Sequence, residues 1–191
     1  MVLNSSELRK ISEDEARALS QKVKRFPLYI ILENVLDTYN IGGFFRLADA
    51  VAVEKIYLCG ECALPPDHKI VKASVGAYKI VPWEYKKSVA EALKDLKKVK
   101  NLQIIAVEQT EAALDYRRIK YNFPLAFVFG HETRGISPEA LALVDKTIEL
   151  PMHGLNKSLN VMVAAGIALY WALEKSRTRS KNIWQKLLAK K

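Results

Sequence analysis

Three polar segments of this sequence carry side chains suited to chemistry, and each one follows a short apolar run. They are residues 33–46, 130–137 and 151–160. Ligands of parallel α/β sheets bind beyond the carboxyl ends of the strands. If the apolar runs are strands of one such sheet, the three segments meet at one edge, and the sequence predicts a ligand site there.

The second segment, Gly130-H-E-T-R-G, is suited to a sharp turn. Its glycines allow the backbone to approach a ligand closely, and Glu132 between them is free to accept hydrogen bonds. An ordinary strand-to-helix turn explains the same residues. In the first segment, Asn40 is either a ligand contact or a helix N-cap. Arg46 lies among apolar neighbours, and the alternative to a functional role for it is an i, i+3 salt bridge with Asp49.

The familiar nucleotide and hydrolase motifs are absent. The sequence has no GxGxxG after a predicted strand, no GxxxxGK(S/T) and no GxSxG. Their absence argues against a Rossmann site, a P-loop and a serine hydrolase. Both cysteines lie in Cys59-G-E-Cys62 with only His68 nearby, whereas zinc normally takes four ligands. We therefore predict no metal site and two reduced thiols at the end of a strand.

Strand and helix signals alternate along the chain, which favours a parallel sheet covered by helices on both faces. Apolar runs such as Leu125-A-F-V-F fit strands that are buried on both sides. A capping box formed by Ser12 and Glu15 predicts one or two polar helices before the sheet. The predicted strands are 27–32, 55–59, 78–82, 102–107, 125–129 and 146–150. The predicted later helices are 40–51, 67–76, 88–98, a short one after Ser137 and a terminal one from Ser158.

A chain of 191 residues, half of it hydrophobic, predicts one α/β domain with a packed core. No run reaches ~18 uninterrupted apolar residues and no leader-like segment opens the sequence, so we expect a cytoplasmic protein without a membrane span. The net charge is +9, and seven basic but no acidic residues fall in 175–191. Such a segment is either a solvated tail or a contact for a polyanion. The expected organisation is a helical extension at 1–26, the α/β domain at 27–174 and a basic tail at 175–191.

Together, the three segments resemble the three motifs of the SpoU-type (TrmH-like) RNA ribose 2'-O-methyltransferases of the SPOUT superfamily, over residues 28–173. The matching motifs are Asn40-x-G-x-x-x-Arg46, Phe129-G-H-E-T-R-Gly135 and Leu150-P-M-x-G-x-x-x-S-L-N-Val161. Each motif alone is a weak signal, but the three in this order and spacing are specific. Two residues depart from the family pattern, because Thr38 stands where proline is common and Met162 where a small polar residue is usual.

The resemblance implies a fold, a cofactor and an oligomeric state. The fold would be an α/β sheet whose C-terminal segment is threaded into a trefoil knot. The protein would be a homodimer with the terminal helix in the interface, and S-adenosylmethionine would sit in the knot. The implied cofactor-binding residues are Gly130, Leu150, Met152, Ser158 and Leu159. The implied catalytic residues are Arg46 at the centre, with Asn40, Glu132, Ser158 and Asn160 around it.

The implied activity is methyl transfer to a ribose 2'-OH of structured RNA. We favour tRNA over rRNA, because helical extensions flank the domain and no separate RNA-binding domain precedes it. The guanidinium of Arg46 stays protonated, so stabilising an alkoxide, alone or with a substrate phosphate, is an easier role for it than general base. The RNA contacts would lie in the basic tail or on the N-terminal helices, at Arg9, Lys10, Lys22, Lys24 and Arg25.

Two alternative functions remain open on the sequence. One is an RNA-binding protein of the same fold that does not methylate, although such a protein would have no need for Arg46, Glu132 and Asn160. The other is an unrelated α/β enzyme that uses G-H-E-T-R-G to hold a nucleotide phosphate. Comparing the binding of S-adenosylmethionine with the binding of ATP would distinguish the second alternative from a methyltransferase.

Overall fold

The structure is a computed structural model that describes residues 3–179. Within them, seven strands form one sheet in the order β3-β2-β1-β6-β4-β7-β5, and neighbouring strands run parallel. The predicted parallel α/β architecture is therefore confirmed. The strands are β1 (Phe26–Glu33), β2 (Val53–Cys59), β3 (Trp83–Lys86), β4 (Gln103–Val107), β5 (Leu114–Asp115), β6 (Leu125–Phe129) and β7 (Lys146–Glu149).

Two short helices precede the sheet and the others connect or follow its strands. Over residues 3–179, no helix has both the length and the apolar character that a membrane crossing needs. The last helix extends to Arg179, so the boundary predicted after residue 174 falls inside it, and the rest of the predicted tail lies outside the described residues. The helices are α1 (Ser5–Lys10), α2 (Glu13–Lys22), α3 (Thr38–Ala50), α4 (His68–Ser74), α5 (Val89–Leu96), α6 (Pro138–Leu141) and α7 (Val161–Arg179).

Alternate residues of the strands pack into two hydrophobic cores, one on each face of the sheet. On β1, Leu28 and Ile30 belong to the core that also holds α3, α4 and α7, whereas Ile31 belongs to the core that holds α5 and α6. Phe44 of α3 is fully buried, and its ring centroid lies 5.3 Å from that of Phe129 on β6. Burying one such side chain contributes ~1.5–3 kcal/mol, so α3 is held firmly over the sheet.

The strand predicted at residues 78–82 is wrong. A 3₁₀ turn, Ala77–Lys79, occupies the first half of that segment, and β3 begins at Trp83. Register explains the difference, because Trp83 pairs with Ile56 of β2 and the Ile56 N–H donates to the Pro82 carbonyl at 2.9 Å. Pro82 has no N–H to donate in return. The two-residue strand β5 was not predicted at all.

The start of α3 also differs from the prediction. Asp37, not Asn40, is its N-cap and accepts from the Tyr39 N–H at 2.8 Å. Asn40 therefore lies inside the first turn, and the N-cap explanation for it is wrong. Its side chain remains available for a contact outside the helix.

The N-terminal segment is tied to the β2 and β3 side of the sheet by hydrogen bonds to main-chain carbonyls. The guanidinium of Arg25 donates to the carbonyls of Val53 at 3.1 Å and Ile80 at 2.8 Å. Lys79 Nζ donates to the Ile11 carbonyl at 2.8 Å. Arg25 thus has a structural role, which weakens the expectation that it contacts RNA.

Candidate functional site

A cavity of about 380 Å³ opens at the carboxyl ends of β4, β6 and β7. Its walls are the loops after these strands and the first residues of α7. This is the position at which parallel sheets bind ligands. Seven of the predicted site residues line it, namely Gly130, Glu132, Leu150, Met152, Ser158, Leu159 and Asn160.

Two glycines shape the β6 side of the cavity. His131 and Gly135 form an antiparallel bridge, with N–H to carbonyl distances of 3.1 and 2.9 Å. A Cβ on Gly130 would overlap the Gly135 backbone, and Gly135 has a φ of +69°. Side chains are therefore excluded from both positions, and the backbone here can approach a ligand directly.

The loop between these glycines is ordered by the ring of His131. Its Nδ1 accepts from the N–H of Thr133 at 3.0 Å and of Arg134 at 3.3 Å. Nδ1 therefore serves as the acceptor that closes this turn. The guanidinium of Arg134 donates to the Glu61 carboxylate at 2.7 Å, which ties the tip of the loop to the end of β2.

Glu33, at the end of β1, holds the far end of the same loop. Its side chain is almost fully buried and accepts from the Ser137 N–H at 2.8 Å and the Ser137 hydroxyl at 2.7 Å. The Ser137 hydroxyl in turn accepts from the Ala140 N–H at 3.1 Å and caps α6. A buried carboxylate with two donors fixes this turn against β1.

One line of side-chain hydrogen bonds joins the three polar segments. Asn40 Nδ2 donates to Glu132 Oε1 at 3.0 Å, and Asn160 Nδ2 donates to Asn40 Oδ1 at 2.9 Å. The other end of the Asn160 amide, Oδ1, accepts from the Met162 N–H at 2.9 Å. Asn160 therefore caps α7, which begins at Val161 and not at Ser158 as predicted.

Glu132 is the ionised member of this line. Burial on its own raises the pKa of a carboxyl group, but the hydrogen bonds from the Asn40 amide and from the N–H groups of Asp37 and Leu36 outweigh it. The pKa of Glu132 is consequently below its ordinary value. The group is a carboxylate at neutral pH, and it orients Asn40 by accepting and not by donating.

Arg46 stands apart from the other predicted residues. It is exposed and does not line the cavity. Among the described side chains it forms no ion pair, so the bridge to Asp49, which was the alternative to a functional role, is not observed. Three residues before it, Gly43 packs against α7, where a Cβ would lie 2.9 Å from Met162 Cγ. Since residues at i and i+3 share a helix face, Arg46 lies near the side of α3 that Gly43 turns towards α7, and it lies outside the cavity of its own chain.

Sequence reasoning missed the β4 side of the cavity. Val107, Glu108 and Gln109 line it. The strand at 102–107 was predicted correctly, so the rule about carboxyl ends pointed to the residues that follow it. No motif marked them, and they were not selected.

Both apolar and charged residues line the cavity. Apolar side chains supply part of the lining, while Glu108, Glu132 and Glu149 contribute carboxylates. A cavity of this size fits the ~300–1,000 Å³ range of ligand sites. In the described part of the chain no three His, Cys, Asp or Glu side chains are grouped so that they could hold a metal ion. Cys59 and Cys62 are buried free thiols, and burial raises the pKa of Cys62 to about 11.

Fold and cavity together define an α/β protein with a small-molecule site at the carboxyl edge of a parallel sheet. Comparison with known families narrows this class. The model of the SpoU rRNA Methylase family matches residues 27–170, and the chain belongs to that family. The resemblance that the three motifs indicated is confirmed.

Named relatives agree with this assignment. The tRNA (guanosine(18)-2'-O)-methyltransferase of Escherichia coli (strain K12) is 34% identical over 161 residues, which are 82% of this chain and 68% of the relative. The A. aeolicus TrmH/SpoU tRNA modifying enzyme has a TM-score of 0.71 at 27% identity, covering 93% of this chain and 94% of its own. The SpoU methyltransferase AviRb from Streptomyces viridochromogenes, solved with AdoMet, has a TM-score of 0.75 at 25% identity. The chain covers 63% of AviRb, and 82% of this chain is matched.

Proposed function

We propose that the protein is an S-adenosylmethionine-dependent methyltransferase that modifies a ribose 2'-OH of tRNA. Membership of the SpoU family and the tRNA-modifying relatives support this proposal. The observation that carries it is the line Glu132–Asn40–Asn160, because it brings one residue from each motif segment to the mouth of one cavity.

The bound cofactor would supply the methyl group, and the side chains would align the acceptor oxygen with it. An unactivated ribose hydroxyl is a weak nucleophile, so positioning and stabilisation of developing charge must carry much of the rate. Glu132 orients Asn40 and, through it, Asn160, with Ser158 beside them. Arg46 is the proposed stabiliser of the developing charge, since its guanidinium stays protonated at any ordinary pH.

The residues of the cavity fit S-adenosylmethionine. The absence of side chains at Gly130 supports close backbone contact, together with the backbone of Leu150 and Leu159. Ser158 and Met152 complete the proposed cofactor-binding set. The apolar lining residues suit the adenine ring, and the carboxylates suit a ligand that carries a sulfonium and an ammonium charge.

We also propose a homodimer across α7. Val163, Ile167 and Tyr170 lie at i, i+4 and i+7, and 43%, 37% and 55% of their surfaces are exposed. Apolar stripes of this kind are uncommon on monomers. Gly166 lies on the same side, and nothing is found within 4 Å of where its Cβ would be. A partner helix therefore has room for close approach.

The proposed dimer offers a place for Arg46. This residue is exposed, lies outside the cavity of its own chain, and is about one helical turn from Gly43, which packs against Met162 of α7. A partner seated on α7 would lie next to it, and two-fold symmetry would repeat the contact in both directions. We propose that the partner's Arg46 completes each cavity.

The trefoil knot and the domain division belong to the same proposal. The knot would be formed by the chain after β7, whose residues share the cavity with the loops after β4 and β6. The proposed units are the N-terminal helical extension at 1–26, the catalytic domain at 27–174 and the basic tail at 175–191, with the extension and the tail contacting the tRNA backbone. A tRNA substrate implies a cytoplasmic location.

Ribose-methylation mapping tests the proposal. Purified protein is incubated with S-adenosylmethionine labelled in its methyl group and with unmodified total RNA. We expect label in tRNA, at a position where the 2'-O-methyl group blocks alkaline cleavage. Guanosine 18, the position named for the E. coli relative, is the first to inspect. Label on a base, or in rRNA alone, would contradict the proposal. Cofactor and RNA binding without transfer would favour the non-catalytic alternative, and binding of ATP instead of the cofactor would favour the phosphate-holding one.

A further inference from the structure

Glu108 is a cavity residue that belongs to none of the three motifs. It follows β4, and its N–H donates to the Ile148 carbonyl at 3.0 Å. Its Oε2 accepts from the Ile136 N–H at 2.9 Å, and its Oε1 accepts from the Gln109 N–H at 2.9 Å. The carboxylate is therefore held in one orientation in the cavity wall.

This carboxylate keeps unused acceptor capacity on both oxygens. A carboxylate offers about four lone-pair sites, and the two N–H groups occupy one on each oxygen. Among the side chains that the structure describes, none forms an ion pair with Glu108. Two adjacent acceptors, fixed in place, match the two donors of a vicinal diol.

The surroundings of Glu108 indicate which part of the ligand it meets. Val107 precedes it directly and is an apolar residue of the cavity lining. The ribose of an adenosyl ligand is bonded directly to adenine, whereas the amino-acid chain is separated from the base by the whole sugar. With adenine packed against Val107, the sugar is the polar group nearest to Glu108. The apolar residues that line the cavity are Val107, Phe129, Leu150, Met152, Leu159, Val161 and Ala164.

We propose that Glu108 accepts hydrogen bonds from the 2'- and 3'-hydroxyls of the cofactor's ribose and selects ribosyl over deoxyribosyl ligands. The inference rests on the proposed cofactor and adds a specificity residue to its site. It also gives Gly135 a second role, because a Cβ there would overlap Glu108 Oε2 and displace the carboxylate.

Calorimetry with two matched ligands tests this role without an activity assay. S-adenosylhomocysteine and its 2',3'-dideoxy analogue are titrated into the wild type, Glu108→Gln and the control Glu111→Gln. Glu111 lies in the same loop, is exposed and does not line the cavity. We expect loss of the hydroxyls to weaken binding about 10–100-fold in the wild type and the control, the range for hydrogen bonds to a charged group. In Glu108→Gln, loss of the hydroxyls should weaken binding less than about 3-fold, because the charged acceptor is gone.

A second variant and a third ligand separate a sugar contact from other roles. Glu108→Ala removes the carboxylate without placing an amide N–H against that of Ile136, and it should behave as Glu108→Gln does. 5'-Methylthioadenosine keeps the diol but lacks the ammonium group. The Glu108 variants should weaken its binding as much as they weaken the binding of S-adenosylhomocysteine. If they leave the binding of 5'-methylthioadenosine unchanged, Glu108 contacts the ammonium group and the inference is overturned.

The remaining outcomes are also decisive. If loss of the ribose hydroxyls weakens binding equally in the wild type and in both variants, the role of Glu108 is overturned and the proposed function is left intact. Loss of binding of every ligand in both folded variants would show a structural role and overturn it as well. Failure of the wild type to bind S-adenosylhomocysteine would contradict the proposed cofactor, and the inference would fall with it.

Discussion

Replacing Asn40 with aspartate should turn the central hydrogen bond of the site into a repulsion. Asn40 Nδ2 donates to Glu132 Oε1 at 3.0 Å, and Asn40 Oδ1 accepts from Asn160 at 2.9 Å. Aspartate keeps an acceptor for Asn160 but places a second carboxylate oxygen against Glu132. Asn40 is only 7% exposed, so water screens the pair weakly.

The magnitudes follow from the interactions that are lost or reversed. A hydrogen bond to a charged group contributes about 1.5–3 kcal/mol, so Asn40→Ala should lower the free energy of unfolding by about 2–4 kcal/mol once the contact with Asn160 is included. Two like charges ~4 Å apart repel by about 4 kcal/mol at an effective dielectric constant of 20, less whatever side-chain movement relieves. Asn40→Asp should therefore be the less stable variant at neutral pH.

The dependence on pH distinguishes the two variants. In the native protein the pKa of Glu132 is lowered, so its contribution to stability is present above the unfolded pKa and is lost as the pH falls through the folded pKa. In Asn40→Asp two carboxylates share one site, which raises the pKa of one of them. That group contributes stability at acid pH that is lost as the pH rises. The free energy of unfolding of Asn40→Asp should therefore rise relative to that of Asn40→Ala as the pH falls from about 7 to about 5.

Urea denaturation of both variants at the two pH values measures this difference. The control is Asn122→Asp, the same chemical change at an exposed position, which should alter the free energy of unfolding by no more than about 0.5 kcal/mol. Equal stability of the two Asn40 variants at both pH values would refute the reasoning, because it would mean that Asn40 and Glu132 do not interact in solution.

Four further predictions concern activity, assembly and RNA binding. Arg46→Ala should abolish methyl transfer, change the free energy of unfolding by less than about 0.5 kcal/mol and leave calorimetric cofactor affinity nearly unchanged; a large loss of affinity would contradict its role. If the partner's Arg46 completes the cavity, a mixed dimer of one Arg46→Ala subunit and one Asn160→Ala subunit has one intact cavity. Mixing the two inactive dimers should therefore restore about one quarter of the wild-type activity after subunit exchange. No recovery after exchange would place Arg46 in its own cavity. Ile167→Glu should sediment as a monomer at micromolar concentration, and a persistent dimer would exclude the α7 interface. Replacing the basic residues of 180–191 with glutamine should flatten the slope of log K against log salt by about 0.7–0.9 per lost phosphate contact, and an unchanged slope would move RNA binding to α1 and α2.

Most of the sheet could be predicted because the strands are locally encoded. Runs such as Leu125-A-F-V-F are apolar at every position, short and rich in aromatic and β-branched residues, which is typical of a strand buried on both faces. The third strand failed because its position depends on register with β2. Tyr78-K-I-V has the right composition, yet Trp83 is the residue that pairs with Ile56. No local pattern carries such pairing.

The site residues also divide into those that a local sequence pattern marks and those that it does not. Glu132 and Asn160 were found because they lie in motifs at strand ends. Glu108 lies at a strand end too, but it has no motif around it. The apolar neighbours of Arg46 in sequence suggested that it is not wholly solvated. A helix turns by about 100° per residue, however, so adjacent positions face different directions. Phe44 and Phe45 therefore point into the core, while Arg46 is exposed.

Asn160 gives a physical reason why the dimer and the reaction would depend on each other. One end of its amide caps α7, and the other end donates to Asn40. An amide with both ends bound cannot move without losing one of these hydrogen bonds, each of which contributes about 0.5–1.5 kcal/mol. The same helix carries the apolar stripe proposed for the interface. A partner that fixes the position of α7 would thus also fix Asn160, and through Asn40 it would fix the Glu132 carboxylate at the mouth of the cavity.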